Sequence, residues 1–543
     1  MKKEISDVVD LLRSNNLDKA LQIANGLYKK DQNNLNLNKV LAYIYMQKNA
    51  FSVSVQLLKK GLQIKPDLQD FDYFNNLGYC LLNLEEYEEA IKYLDRALEL
   101  DQIKPGVYTN LAEIHLALRN FDKASEFISK SIEEIINEEY PIINQHTKVF
   151  WLKSTINTAL LKDSETIKLF ISMLNKEFNA NIFYLLASVD PSSITNQLAE
   201  KAIENSNKNN QEFKNKIERF YFVTPLYFGL ALYYQKIDKF KSEEYYHLGN
   251  KETFNSTRYN SYDYQNKILG SIEHFESNFK DLERGYENLG ENNFFIVGSP
   301  RSGTTLVESI VTSNNEVFAG GELASSKNLI GSHLRLKETN SKKMMIDFNT
   351  KYLRRTKFIR GDHKYIVDKL PENFLYIGYT LKFLPKAKII RLFRNPWDTA
   401  ISLYKQRYVT NIPYSSSFFN IGVFMANFEA INLYWNSSLP NKEDSILDLY
   451  YEEVVKNHTE AQQKIYKFLN IRAPYIKEKR DEFFSSTASI RQVQGGIHQK
   501  SIKKQEFEDK KEEFYQSFEM QRKYWKMKGI VPENSSFFGY EMT

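Results

Sequence analysis

Between residues 74 and 102 the apolar and small positions fall at helical spacing in two successive runs. Phe74, Leu77, Gly78 and Leu81 share one face, and Ala90, Leu94 and Ala97 share the next. Small residues at Gly78 and Ala90 let the two helices of a hairpin approach closely, while the large ones fill the seam with a neighbouring hairpin. Tyr108, Leu111, Ala112 and Ala124 take the same places downstream. Ala42, Ser54, Leu58, Gly61 and Pro66 take them upstream, and Ala20, Ala24 and Leu27 before those. Ala42, Gly78 and Ala112 stand 36 and 34 positions apart. The pattern predicts four stacked helical hairpins over roughly residues 3–135.

From about 140 to 290 the helical pattern continues without a strict period. Tyr227–Asn250 reads as one more hairpin, with Ala231 and a poorly matching Glu243 at the small-residue places. Pro191-Ser-Ser and Asn205–Gln211 read as turns or loops, and the polar, Tyr-rich Asn255–Gln265 as a lead into the next domain. Gly285, Gly290 and a polar run put a boundary near 285–292. Beyond it come short apolar runs, each followed by turn residues and a helical pattern: Phe294–Val297, Tyr365–Val367, Ile389–Phe393 and Ile446–Tyr450. These predict buried parallel strands of an open α/β sheet. The expected domains are 1–138 (repeats), 139–290 (further helices with at least one repeat-like hairpin) and 291–543 (α/β).

Composition narrows the function classes. The 543 residues exceed what one core serves, and 42% apolar with 14% aromatic residues suits packed domains. A formal charge of +5 gives no nucleic-acid signature, although one basic cleft would fit it. The only cysteine, Cys80, excludes an internal disulfide and Cys-rich metal sites. No His/Cys/Asp cluster has metal-ligand spacing, and no apolar stretch reaches the ~18 residues of a membrane span. The chain starts on an amphipathic helix bearing Asp7 and Asp10. The expectation is a cytoplasmic protein.

The segment that carries chemistry is Phe294-Phe-Ile-Val-Gly-Ser-Pro-Arg-Ser-Gly-Thr-Thr-Leu-Val-Glu308. A strand feeds a loop bounded by Gly298 and Gly303, and the loop opens a helix at Thr304. Backbone N–H groups there point at an anion above the helix N-terminus. The spacing is that of a P-loop, but Thr304 stands where a nucleotide triphosphatase carries its lysine, and Arg301 lies inside the loop. A second anion site is expected after Ile389–Phe393. Arg394 ends that strand, Asn395-Pro396 caps a new helix, and Ser402 lies about two turns along it. Glu322 in Ala-Gly-Gly-Glu-Leu follows the short strand Val317-Phe318, and Lys369 follows Tyr365–Val367. Both are placed at the carboxyl edge of the sheet, where open α/β folds bind ligands.

Two resemblances follow from these residues. The repeats resemble tetratricopeptide repeats. Pro-Arg-Ser-Gly-Thr-Thr at 300–305 resembles the 5′-phosphosulfate loop of sulfotransferases that use 3′-phosphoadenosine-5′-phosphosulfate (PAPS), and is most similar to the tyrosylprotein and repeat-bearing bacterial enzymes. The resemblance implies that Arg301, Ser302, Gly303, Thr304 and Thr305 hold the 5′-phosphosulfate and that Arg394 and Ser402 hold the 3′-phosphate. It implies Glu322 as general base and Lys369, with Arg301, as stabiliser of the transferring charge. It implies Tyr451 on the adenine side and a closing loop, Thr487-Ala-Ser489 to Lys504, in which Ser489 and Lys504 reach phosphate oxygens. Gln505 departs from the family's aromatic residue at that place, and the acidic and Arg residues after the animal enzymes' glutamate are missing.

The expected activity is sulfuryl transfer from PAPS, without a metal, to an acceptor hydroxyl, a protein tyrosine being one option. The repeats are expected to recruit a protein or peptide acceptor. A saccharide or small-molecule acceptor would use the same PAPS residues. A P-loop kinase would lack its lysine, and a non-catalytic scaffold would not need Arg301, Arg394 and Lys369. His333 and His363 are rival bases by residue type alone.

Overall fold

The computed structural model describes residues 2–538 apart from 15, 101–104, 138–146, 214, 258, 282–287, 409–411, 440–441, 473–504, 533–534 and 537. The chain divides into two compact units, Met1–Ile142 and Ile143–Thr543.

The first unit is built of helices in antiparallel pairs: Lys2–Arg13 with Leu17–Lys30, Leu35–Gln47 with Phe51–Ile64, Phe71–Asn83 with Tyr87–Leu98, and Pro105–Ala117 with Phe121–Asn137. The small residues act as expected. A Cβ on Gly78 would lie 2.5 Å from Leu94 Cγ, so only glycine lets these helices meet this closely. The repeat is also written in the backbone. Asn49, Glu85 and Arg119, again 36 and 34 apart, all adopt left-handed φ of 56–59°. At each, the next residue's N–H bonds back to the carbonyl five residues earlier (Ala50 to Tyr45, Glu86 to Leu81, Asn120 to His115), closing the first helix of its hairpin.

In the second unit, strands β1 (Asn293–Gly298), β2 (Val317–Ala319), β3 (Tyr365–Asp368), β4 (Lys388–Phe393) and β5 (Ile446–Tyr450) form one parallel sheet in the order β2-β3-β1-β4-β5. The alternation along β1 divides two cores. Phe294 and Ile296 face Val307, Ile310 and Ile465, on the helices Thr304–Val311 and His458–Leu469. Phe295 and Val297 face the other way, into a larger core with Phe428 and Trp435 of Phe418–Ser438 and Trp525 of Lys511–Met527. Phe228, Tyr246, Ile268 and Phe275 belong to that same core, so helices Thr224–Tyr234, Lys239–Ser256 and Ser261–Asn278 pack with the α/β fold as part of it. Phe418–Ser438 has no single apolar face because nearly all of it is buried, polar Asn427 and Glu429 included. Its Asn427 accepts hydrogen bonds from Trp525 Nε1 at 2.8 Å and Gln521 Nε2 at 2.9 Å. No helix among the described residues is long and apolar enough to cross a membrane.

Three local expectations need correction. Asn205–Gln211 is no loop but the end of the helix Asn196–Glu212, whose buried Leu198, Ala199, Ala202 and Ser206 keep one face packed under a polar surface. Asn255–Gln265 holds the end of one helix and the start of Ser261–Asn278, whose Tyr264 is core. In the hairpin Thr224–Tyr234 and Lys239–Ser256 the small place belongs to Ser242 rather than Glu243. Ser242 Oγ donates to Ala231 O at 2.8 Å, as Ser54 Oγ donates to Ala42 O at 2.6 Å in the repeats.

Candidate functional site

Apart from the rival bases His333 and His363, the candidate residues inside the described region come after the carboxyl ends of strands, and the strand order explains why they meet. Chain connections run from β1 out to β2 and β3 on one side, then cross to β4 and β5 on the other. The loops after β1 and β4 therefore diverge and leave a crevice.

The loop after β1 is shaped for an anion. Arg301 has φ 70° and Gly303 φ 100°, a tight turn in which Ser302 N–H donates to Ser299 O at 3.1 Å. Ser302 is fully buried, and its Oγ has no hydrogen-bond partner among the described residues. Gly303 precedes the helix Thr304–Val311. A Cβ there would strike the Tyr451 ring, 2.3 Å from Cδ2, so the loop and the residue after β5 are in contact. An orphaned buried hydroxyl and a left-handed glycine at a helix start fit a bound phosphate or sulfate group.

The loop after β4 meets this one. Arg394 Nη1 donates to Arg301 O at 2.8 Å, and Arg301 Nε donates to Ser402 Oγ at 3.0 Å. The hydroxyl expected beside Arg394 is thus held by Arg301, and the two anticipated anion sites share one junction. Asn395 caps the helix Pro396–Tyr404 by accepting from Asp398 N–H. Its own N–H donates to Glu452 Oε1 at 2.8 Å. The Arg394 guanidinium stacks 4.5 Å from the Tyr451 ring centroid. Burial lowers its pKa, an effect that Tyr451, Asp398 and Glu452 oppose and Arg301 reinforces.

Beside the junction lies an ion triad. Lys369, 0% exposed, donates from Nζ to Glu322 Oε1 at 3.1 Å and lies 3.8 Å from Glu308 Oε2. Glu308 is also 0% exposed, and its Oε1 accepts from Gly321 N–H at 3.2 Å. Glu322 is 44% exposed, so the lysine forms the floor and this carboxylate the rim. Lys369 N–H donates to Gly321 O at 2.8 Å, tying the glycine loop to the end of β3.

Sequence reasoning missed Glu308, although a carboxylate within Leu-Val-Glu-Ser-Ile-Val, on a buried helix, was a visible signal. It also missed Glu452, which tertiary packing brings to Asn395 N–H. Ser489 and Lys504 lie outside the described residues. His333 pairs with Asp347 at 3.1 Å, and His363 Nδ1 meets Arg360 O at 3.0 Å while its ring packs on Phe318. Neither is part of the junction or the triad. Among the described residues no group of His, Cys, Asp or Glu is arranged to hold a metal ion.

Comparison with known proteins found two family matches and several similar chains. Residues 293–475 match the family described as the Sulfotransferase family, and residues 74–207 match the fourth ARM domain of tetratricopeptide repeat protein 21. An "Uncharacterized protein" of Aquifex aeolicus (strain VF5) is 31% identical over 259 residues, which cover 44% of this chain and 33% of that one. The chain thus spans about a third of that curated relative's length. Similar solved structures include the sulfotransferase domain of the Synechococcus PCC 7002 olefin synthase (14% identity, 44% of this chain and 97% of that one, TM-score 0.29). They also include a Mycobacterium avium sulfotransferase (10%, 62% and 97%, 0.28) and a tetratricopeptide repeat protein of Parabacteroides merdae ATCC 43184 (12%, 41% and 82%, 0.31). The chain is a helical repeat region followed by a sulfotransferase-family domain with a five-stranded parallel sheet.

Proposed function

We propose that this protein transfers the sulfuryl group of PAPS to an acceptor hydroxyl, a protein tyrosine among the candidates, with the repeats recruiting the acceptor. The observation that carries the reading is the junction of Arg301, Arg394 and Ser402 over a loop that has Thr304 where a kinase or triphosphatase needs lysine. Arg301, Ser302, Gly303, Thr304 and Thr305 hold the 5′-phosphosulfate, Arg394 and Ser402 the 3′-phosphate, and Tyr451 flanks the adenosine. Ser489 and Lys504 complete the donor site from the following segment.

In the transfer, the acceptor oxygen bonds to sulfur as the bond from sulfur to the 5′-phosphate oxygen breaks. The electron pair leaves on that oxygen, and the acceptor proton passes to Glu322. Lys369 and Arg301 offset the negative charge that moves to the leaving oxygen. The protein's part is positioning and electrostatics, as in phosphoryl transfer. Lys369, held between Glu308 and Glu322, suits that task because its ammonium is already fixed in place.

The test is calorimetric titration of 3′-phosphoadenosine-5′-phosphate, beside ATP with and without magnesium, into wild type and Arg394→Ala. Tight, magnesium-independent binding of the bisphosphate, weak ATP binding and a large loss in the variant are expected. Preference for magnesium–ATP, or no nucleotide binding, would overturn the reading.

A further inference from the structure

Arg407 is a buried cation outside the donor site with no ion-pair partner among the described residues. It is 8% exposed and follows the helix that carries Ser402. Its guanidinium packs against rings from two helices of the N-terminal part of this unit, Tyr184 of Ala180–Val189 at 5.3 Å and Phe220 of Lys216–Phe222 at 5.8 Å. Nε donates to Thr224 Oγ1 at 3.2 Å. Nη1 and Nη2 have no hydrogen-bond partner among the described residues, and no carboxylate there pairs with the charge. Burying a guanidinium without an anion is costly, and a protein tolerates it where a ligand supplies the missing charge.

The neighbouring residue connects this cation to the transfer site. Tyr408 has a buried hydroxyl without a partner among the described residues. Burial raises its pKa, and the charges of Arg301 and Glu322 both act on it. Tyr184, which stacks on Arg407, likewise feels Arg301. Gln406 Nε2, next to Arg407, donates to Tyr184 Oη at 3.5 Å, and the helix just before it, Pro396–Tyr404, carries the Ser402 that Arg301 holds. Arg407 lies where the helices before residue 290 pack against the sheet domain. Nothing in the donor assignment uses it.

We propose that Arg407, with the Tyr184 ring packed against it, anchors an anionic group of the acceptor. The acceptor is then a hydroxyl compound that also carries a carboxylate, sulfate or phosphate, and the helices that precede the sheet domain form one wall of its pocket. This rests on the sulfotransferase reading. The planar fork of arginine, packed against two rings, suits an oxyanion.

The test uses crystals of the full chain grown with 3′-phosphoadenosine-5′-phosphate and soaked in sodium bromide, with bromide located by anomalous scattering. A bromide on the Nη atoms of Arg407 is expected in wild type. It should be absent in Arg407→Met and kept in Arg407→Lys, with nucleotide occupancy the same in all three. Calorimetric nucleotide affinity should change less than about threefold in both variants, which also checks that they fold. Bound nucleotide with no bromide at Arg407 would overturn the anion subsite while leaving the donor reading intact. A nucleotide phosphate on Arg407 would assign the residue to the donor site and overturn the acceptor role. Absence of nucleotide binding in wild type would overturn the sulfotransferase reading itself, and this inference with it.

Discussion

Replacing Lys369 by methionine separates the lysine's part in holding the fold from its proposed part in transfer. In the native protein its ammonium lies between a carboxylate that water cannot reach, Glu308, and one that water can, Glu322. Lys369→Met leaves Glu308 with one hydrogen bond, from Gly321, and no counter-charge. Breaking a buried pair from one side costs about 3–5 kcal/mol. Glu308→Gln keeps an acceptor for Gly321 and leaves Lys369 its contact with Glu322, so a charged hydrogen bond's worth, about 1.5–3 kcal/mol, is expected. The double variant buries neither charge alone and should cost less than the two losses added, by about 2 kcal/mol or more. All the tryptophans, Trp151, Trp397, Trp435 and Trp525, lie in the second unit, so urea unfolding followed by their fluorescence reports on it. With an m-value of about 3 kcal/mol/M, Lys369→Met should lower the midpoint by roughly 1–1.7 M. Transfer activity should stay lost in the double variant although stability returns. Losses that add within ~0.5 kcal/mol would refute the claim that Glu308 depends on Lys369.

Three further outcomes can be checked separately. Gly303→Ala puts a side chain at φ 100° and 2.3 Å from the Tyr451 ring on which Arg394 stacks; bisphosphate affinity measured by calorimetry should fall at least about tenfold, with strain of ~1–2 kcal/mol behind it, and an unchanged affinity would remove this wall from the donor site. Cys80 is buried, which pushes its thiol up to about 12, so Ellman's reagent at pH 8 should label it only after denaturation; rapid native labelling would contradict its place in the repeat core. Burial lowers the pKa of His247, whose Nδ1 lies 2.8 Å from Tyr404 Oη, with Asp509 and Glu513 opposing the shift and Lys510 adding to it. As pH falls below about 6.5 the unfolded chain binds this proton before the folded one, so stability drops down to the folded pKa and then levels. His247→Gln should flatten that part of the stability–pH curve, and an unchanged curve would count against it.

The sequence by itself determined the local pieces, because local physics writes them there. Small residues 34 and 36 apart mark helices that must touch, and runs such as Phe294–Val297 mark strands buried on both faces. Gly298 to Gly303 and the Asn395-Pro396 cap announce strand–loop–helix turns that leave N–H groups for an anion. Tertiary structure decided which of these turns meet. Nothing near Arg301 in sequence says that its Nε will reach Ser402, 101 positions on, since that contact follows from β1 and β4 being neighbours. The same holds for Glu308, whose charge looks out of place until Lys369 arrives on β3. It holds for Arg407, whose stacking partners Tyr184 and Phe220 come from helices that sequence periodicity set apart from the sheet domain. Propensity and spacing act over a few turns of chain, whereas pairing of charges and rings depends on strand order and layer packing. Only the folded sheet with its helices brings those groups together.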